Sequence, residues 1–341
     1  MTIVYLFFCR AWRDFLAVST VAIPFSLIEA WIIRPVMAHR WFLVLPCTGA
    51  AAFALLVFRL LSSTGEARQW KHTVATTAFI LLASLAIVIP MIVSFYQPRT
   101  YDGLLLAWDQ ALGFQPSYSA GRLLTHYAWL RAACVYFYLA IGTAQLICLT
   151  VHMKAGTAWH VIGKFLVASA IAFMCFMIVP AVGPVFVFKN YPNEIPVAAA
   201  ALLNVPPTFV RNCVPSLHFA MTILCFWNSR AWQRSCCAIF VGFTFLATLG
   251  LGQHYLFDLV LAVPLCALVE LLLARRLKLA VLPCMLLIIP VLLAREMIAP
   301  SGAIVGWGWV ALTVTLSLLS LRRTELLFVP VTRFRIDSEL S

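Results

Sequence analysis

His254 and Asp258 stand four positions apart in the segment Gly252-Gln253-His254-Tyr255-Leu256-Phe257-Asp258. On a helix, that spacing puts both side chains on one face. The carboxylate can then accept the imidazole Nδ1–H, leave Nε2 free as a nucleophile or base, and stabilise the cation formed when Nε2 is alkylated, acylated or phosphorylated. A satisfied His–Asp hydrogen bond at a helix junction is the purely structural alternative. The chain has only 12 Asp and Glu among 341 residues, and an ionisable pair at membrane depth is by default a functional hypothesis. A second histidine, His218, ends the segment Cys213-Val214-Pro215-Ser216-Leu217-His218. Proline suits the first turn of a helix, so Ser216, Leu217 and His218 are expected to open one with free backbone N–H groups, a terminus that favours phosphate. Two such histidines suit in-line phosphoryl transfer, in which one attacks phosphorus and the other protonates the departing oxygen.

The elements that must hold these residues are membrane helices. Hydrophobic residues make up 63% of the chain and charged residues 11%, with a mean hydropathy of +0.98. An ordinary soluble domain has about 45–50% and about 25%, so this inventory excludes a water-soluble surface. The formal charge of +12 comes from basic residues placed singly or in pairs between apolar runs. That is the pattern of membrane loops, and not the clustered patch of a nucleic-acid binder. The 11 cysteines lie scattered through apolar stretches without a CxxC framework and read as inert buried thiols. No cleavable signal peptide is expected, because Arg10, Arg13 and Asp14 interrupt the opening apolar stretch.

A membrane helix needs about 20 mainly apolar residues. On that measure ten spans are expected, near 15–33, 41–61, 73–96, 127–150, 162–182, 215–232, 236–256, 257–274, 279–295 and 302–321. The expected fold is an all-α polytopic membrane protein. It has an N-terminal helix pair in 1–72, a catalytic six-helix core in 73–275, and a C-terminal helix pair with a cytoplasmic tail in 276–341. Two connections, 97–126 and 183–214, are too long to be simple turns, and long loops of this kind tend to carry function. The first contains an amphipathic stretch in which Asp102 and Asp109, seven apart, share one helical face. These acids could read a polyol or amine headgroup, or cap an interfacial helix. The second connection is rich in proline and reads as an ordered, non-helical cap. With the N-terminus inside, 16 of the 24 Lys and Arg fall on the cytoplasmic side and 8 on the other. The positive-inside rule therefore favours cytoplasmic termini, with both long loops, His218 and His254 on the extracytoplasmic side. The plasma (inner) membrane is the expected location.

Pro215-Ser216-Leu217-His218 and His254-Tyr255-Leu256-Phe257-Asp258 resemble the second and third signature motifs of the type 2 phosphatidic acid phosphatase superfamily. Leu217, where the phosphatases commonly have glycine, is similar to the branch containing inositol phosphorylceramide synthases and sphingomyelin synthases. The resemblance covers residues 73–275. It implies that His254 is the nucleophile forming a phosphohistidine, Asp258 its orienting acid, His218 the general acid for the leaving group, and Ser216 a phosphate contact. The superfamily's first motif, a lysine six residues before Arg-Pro, has no counterpart: Arg34-Pro35 has Leu27 where the lysine belongs. Ala247 and Thr248 stand where a Ser-Arg pair is expected ahead of the nucleophile. Positioned cations are the main device of phosphoryl transfer, so substitutes are needed. Arg211, four residues before Pro215, is the first candidate; Lys189, Arg122 and Arg99 follow on the outer side.

No metal-ligand cluster stands in the sequence, and no cofactor is expected. Glu270 is expected to pair with a nearby arginine, and Trp307 and Trp309 to sit in the interfacial aromatic belt. The expected function is metal-independent phosphoryl chemistry on a membrane lipid phosphate or phosphodiester that enters sideways from the bilayer. Water as acceptor makes a lipid phosphatase; an alcohol, such as a polyol or another lipid, makes a phosphotransferase. A transporter or flippase with the polar pair in its binding site is the alternative from another class. Ten spans and proline-broken helices fit it; the lack of related halves and the placing of the histidines at helix ends oppose it.

Overall fold

The computed structural model describes residues 93–94, 96–154, 157–196 and 201–322. The expected spans at 15–33 and 41–61, and nearly all of 73–96, lie outside the described residues. Among the described residues the regular secondary structure is almost wholly helical. A two-residue strand β1 (Arg99–Thr100) precedes α1 (Asp102–Gln110), α2 (Pro116–His126), α3 (Ala128–Leu139), α4 (Ile141–Lys154), α5 (Ala158–Ile178) and the short α6 (Pro184–Val187). Strand β2 (Leu203–Asn204) is followed by α7 (Leu217–Asn228), α8 (Ala231–Gly250), α9 (Leu256–Leu273), α10 (Leu277–Arg295) and α11 (Ala303–Arg322). The strands pair antiparallel, with Arg99 opposite Asn204 and Thr100 opposite Leu203.

Helices α5, α8, α9, α10 and α11 are long and apolar enough to cross a membrane, and α3 with α4 makes a sixth span if that pair, bent by 56°, acts as one. The all-α, integral-membrane reading therefore holds. The span expected at 215–232 is shorter than the composition suggests. Ser216 caps α7 at one end and the extended Ser229 closes it at the other, leaving 12 residues, about 18 Å of helix against an apolar thickness of about 30 Å.

Helix α9 is the hub. It is apolar around nearly its whole circumference, and most of its residues are buried, as expected of a helix with no polar face. It packs against α10, α11, α7, α5 and α1. Helix α10 exposes Leu277, Val281, Met285, Ile288 and Leu292, a stripe at helical spacing whose natural solvent is lipid.

Helices α5 and α8 end, and α7 and α9 begin, at one end of the bundle. The opposite end is pinned by a buried polar cluster. Lys164 Nζ donates to Glu270 Oε2 and to Asn228 Oδ1, both at 2.6 Å, and Asn228 Nδ2 donates to Glu270 Oε1 at 2.7 Å. Glu270 thus pairs with a lysine and not with an arginine, because α5 delivers Lys164 to the same level of the bundle. Removing one partner would leave an uncompensated buried charge, at a cost of about 3–5 kcal/mol.

The first long connection is helical, and it braces the end where α7 and α9 begin. Asp102 accepts from the Val182 and Gly183 backbone N–H groups and from the Tyr255 hydroxyl. Asp109 accepts from Leu256 N and Phe257 N at 3.0 and 3.2 Å, the first two residues of α9. Both acids are buried and committed to these donors, so they act as braces and not as headgroup readers. The ring of Trp309 stacks on Phe257 at 5.3 Å beside Trp108, which moves it from the expected interfacial belt into the packing that joins α11 to α9 and α1. The second connection is largely non-helical, as expected, apart from α6 and β2.

Candidate active site

Two turns nest at this end of the bundle. As α8 ends, Gln253 N and His254 N both donate to Thr248 O, at 3.0 and 3.1 Å. Gly252 has φ +70° and Gly183 φ +102°, a region that side chains with a Cβ rarely adopt. A Cβ on Gly183 would lie 2.4 Å from Gln253 O, so only glycine lets the 181–185 segment approach the 252–253 turn. Val185 N then donates to Gly252 O at 3.0 Å. The Tyr191 hydroxyl lies 2.8 Å from both Ser117 O and Leu249 O, tying the second long connection to α2 and the end of α8.

His254 precedes α9 and is not part of it. Tyr255 is the N-cap, in extended conformation at φ −94°, ψ 160°. The shared helical face expected of His254 and Asp258 is therefore replaced by a cap: Asp258 Oδ2 accepts from Tyr255 N at 2.9 Å. The carboxylate still lies 3.4 Å from His254 Nδ1. A better acceptor for Nδ1–H is the main-chain oxygen of Cys213, at 3.1 Å. The Cys213 thiol completes the group by donating to Asp258 Oδ2 at 2.8 Å. With Nδ1 carrying the proton, the imidazole lone pair resides on Nε2. Burial pushes the ring down to about 4, so at neutral pH His254 is uncharged and has that lone pair available.

Ser216 is the N-cap of α7, and its Oγ accepts from Phe219 N at 3.4 Å. Its own N–H donates to Asp258 O at 3.1 Å, which joins the starts of α7 and α9. His218, in the first turn of α7, stacks on Tyr138 of α3, with ring centroids 4.5 Å apart and planes 10° from parallel. His218 and His254 are within electrostatic reach of one another. The structure thus brings His254, Asp258, Ser216 and His218 to one end of the bundle.

The candidate cations are placed differently. Arg211 is fully buried, and its guanidinium holds the 205–209 loop. Nη1 donates to Pro206 O at 2.8 Å and to Phe209 O, and Nη2 donates to Val205 O at 2.5 Å. Its Nε has no hydrogen-bond partner among the described residues. Arg122 donates to Pro192 O and Asn193 O at 3.2 and 3.3 Å, so it braces the 190s turn. Lys189 and Arg99 are exposed. Among the described residues, none of these cations hydrogen-bonds either histidine. Ala247 and Thr248 are buried, and Thr248 Oγ1 donates to Thr244 O at 2.8 Å, so that part of α8 is packed helix and presents no charge.

Sequence reasoning missed Cys213, Tyr138 and the bracing role of Asp102 and Asp109. It also expected no metal-ligand cluster, and here the structure differs. Cys213 Sγ, His254 Nδ1 and an Asp258 carboxylate oxygen all lie within 4.8 Å of one another. Cys213 stands 41 residues before His254, a separation at which no ligand spacing is readable.

Residues 103–272 match the family model of the PAP2 superfamily, the superfamily whose motifs the two histidine segments resemble. The matched region runs from the start of α1 almost to the end of α9 and contains every residue of the site. Comparison with curated proteins and with solved structures found no match.

Proposed function

We propose that this membrane protein is a lipid phosphatase or lipid phosphotransferase that works through a phosphohistidine on His254. The PAP2 superfamily match supports phosphatase-type chemistry on a lipid phosphate. The observation that carries the mechanism is the 3.1 Å contact between His254 Nδ1 and Cys213 O, which fixes the tautomer with its lone pair on Nε2.

In the first step Nε2 attacks phosphorus and the bond from phosphorus to the leaving oxygen breaks. Burial and the neighbouring His254 hold His218 down to about 4 in the empty site. It is protonated once the substrate's negative charge is bound beside it, and it supplies the leaving oxygen with that proton. In the second step the acceptor O–H gives its proton to His218, its oxygen attacks phosphorus, and the P–Nε2 bond breaks. The Asp258 carboxylate, 3.4 Å from Nδ1, stabilises the positive charge on the phosphorylated ring. The phosphate oxygens take the N–H groups that open α7, beside Ser216. Arg211 supplies buried positive charge and its unpartnered Nε–H, with Lys189 and Arg122 as further cations. The cycle as written needs no metal ion.

The charge asymmetry supports an extracytoplasmic site. The opposite end of the bundle carries Arg230, Arg234, Arg275, Arg276 and Lys278, the signature of a cytoplasmic face. Leu217 supports an alcohol acceptor, as in the sphingolipid synthase branch it resembles. Incubating purified protein with a labelled lipid donor, with and without candidate alcohols, separates the two acceptors. Release of free phosphate or headgroup means water, and a new labelled lipid means transfer. Absence of both, with lipid crossing reconstituted vesicles, would replace this reading by that of a flippase.

A further inference from the structure

We propose that Cys213, His254 and Asp258 form a binding site for a zinc-class divalent cation, and that the bound ion switches the nucleophile off. The binding half stands on geometry alone; the inhibitory half rests on the function proposed above.

Zinc in tetrahedral coordination has Zn–S of about 2.3 Å, Zn–N of about 2.0–2.1 Å and Zn–O of about 2.0–2.2 Å, which sets the ligand atoms roughly 3.4–3.6 Å apart. Here Sγ to Nδ1 is 3.4 Å and Nδ1 to Oδ2 is 3.4 Å. The third edge, Sγ to Oδ2, is 2.8 Å, because a single proton bridges it. Exchanging that proton for the cation opens the edge by roughly 0.6–0.8 Å. The carboxylate has room in its bonding to respond, since Asp258 Oδ1 is buried without a hydrogen-bond partner among the described residues.

Charge favours the exchange. A thiolate and a carboxylate together neutralise a divalent ion, so the loaded site adds no net charge to a buried region. The thiol proton leaves to solvent, and these three side chains leave the fourth position of a tetrahedral ion for a further ligand. A thiolate with an imidazole selects zinc or cadmium over magnesium or calcium, which prefer all-oxygen shells.

The consequence for chemistry follows from the tautomer. A cation on Nδ1 uses that nitrogen's lone pair, so the neutral ring must carry its proton on Nε2. Nε2 then has no lone pair with which to attack phosphorus. A metal that many hydrolases need would here be an inhibitor.

The test uses the purified full chain in detergent. Cadmium is titrated against thiolate-to-metal charge-transfer absorbance, and zinc stoichiometry is read by equilibrium dialysis. One ion per chain, proton release on binding and no competition from magnesium are expected. Cys213→Ser should lose the band, and Cys266→Ala, a buried thiol elsewhere on α9, should keep it. Size-exclusion profiles matching the parent show that the loss is not unfolding. Zinc should also suppress turnover of the parent, reversibly on adding chelator. Absence of the band in the parent while turnover proceeds overturns this proposal and leaves the phosphohistidine reading intact. One bound ion with undiminished turnover overturns the inhibitory switch. One bound ion in a chain that processes no phosphate ester supports the site and removes the enzyme reading.

Discussion

The main-chain oxygen of Cys213 accepts the Nδ1–H of His254 at 3.1 Å. The same cysteine's thiol donates to Asp258 at 2.8 Å, so one residue holds both members of the His–Asp pair. The acid's part in the pair is electrostatic support for a ring that a backbone carbonyl orients.

The two histidines should separate by substrate. His254→Ala is expected to abolish turnover and any acid-labile phosphoenzyme trapped with labelled donor. Loss of His218 removes proton donation to the leaving group, a contribution of about 10²–10⁴-fold. A nitrophenyl phosphate, whose leaving group departs without a proton, should be partly spared in His218→Ala. Full turnover in His254→Ala would discard the phosphohistidine.

Asp258→Asn tests the division between orienting and charge stabilisation. The amide oxygen can still accept from Tyr255 N–H, so thermal stability should change little. The negative charge 3.4 Å from Nδ1 is lost, which at an effective dielectric near 20 removes a few kcal/mol and slows kcat by on the order of 10²–10³-fold. Unaltered kcat would mean the carboxylate serves only as a cap.

Asp109 should matter for stability without touching substrate. Asp109→Ala leaves the buried Leu256 and Phe257 N–H groups without their acceptor, at a cost of about 2–4 kcal/mol. Asp109→Asn, which keeps an acceptor oxygen, should cost less. Thermal unfolding in detergent reads both. Equal melting temperatures for parent and Asp109→Ala would refute the brace.

Burial holds His254 near 4 against 6.5 for the free side chain, and the sign of its pH dependence follows. Between those values the unfolded chain binds a proton that the native ring refuses. The neutral ring's contribution to stability is fully present above about 6.5 and is lost as pH falls through about 4. The contribution of His254 to kcat/KM should likewise decline only near pH 4. Unfolding measured at pH 7 and pH 4.5 should show a loss that His254→Gln reduces. An acid limb of kcat/KM near 6.5 in the parent, with parent and His254→Gln losing the same stability between pH 7 and pH 4.5, would show the imidazole to be solvated.

Sidedness is open to direct labelling. A cysteine placed at exposed Lys189 should react with an impermeant maleimide from the extracytoplasmic side, and one at Lys278 should not. The reverse pattern would invert the orientation.

Composition and local spacing determined that this is a helical membrane protein, and they located His218, His254 and Asp258 at helix ends, because hydropathy and capping chemistry operate over a few residues. Local spacing misjudged how His254 meets Asp258, since the i,i+4 rule presumes one continuous helix and the extended Tyr255 interrupts it. Only the tertiary structure decided which groups hold His254. Cys213 reaches His254 across 41 residues, Asp102 reaches Gly183 across 81, and Asp109 reaches Leu256 across 147. Such partners are chosen by which helix ends the packed bundle brings together. Residue type alone makes Cys213 one more apolar thiol, Asp109 one more loop acid and Tyr138 one more membrane aromatic. Their roles exist because α1, α3, α7, α8 and α9 converge on one end of the bundle, where buried polar groups must find partners among whatever that packing supplies.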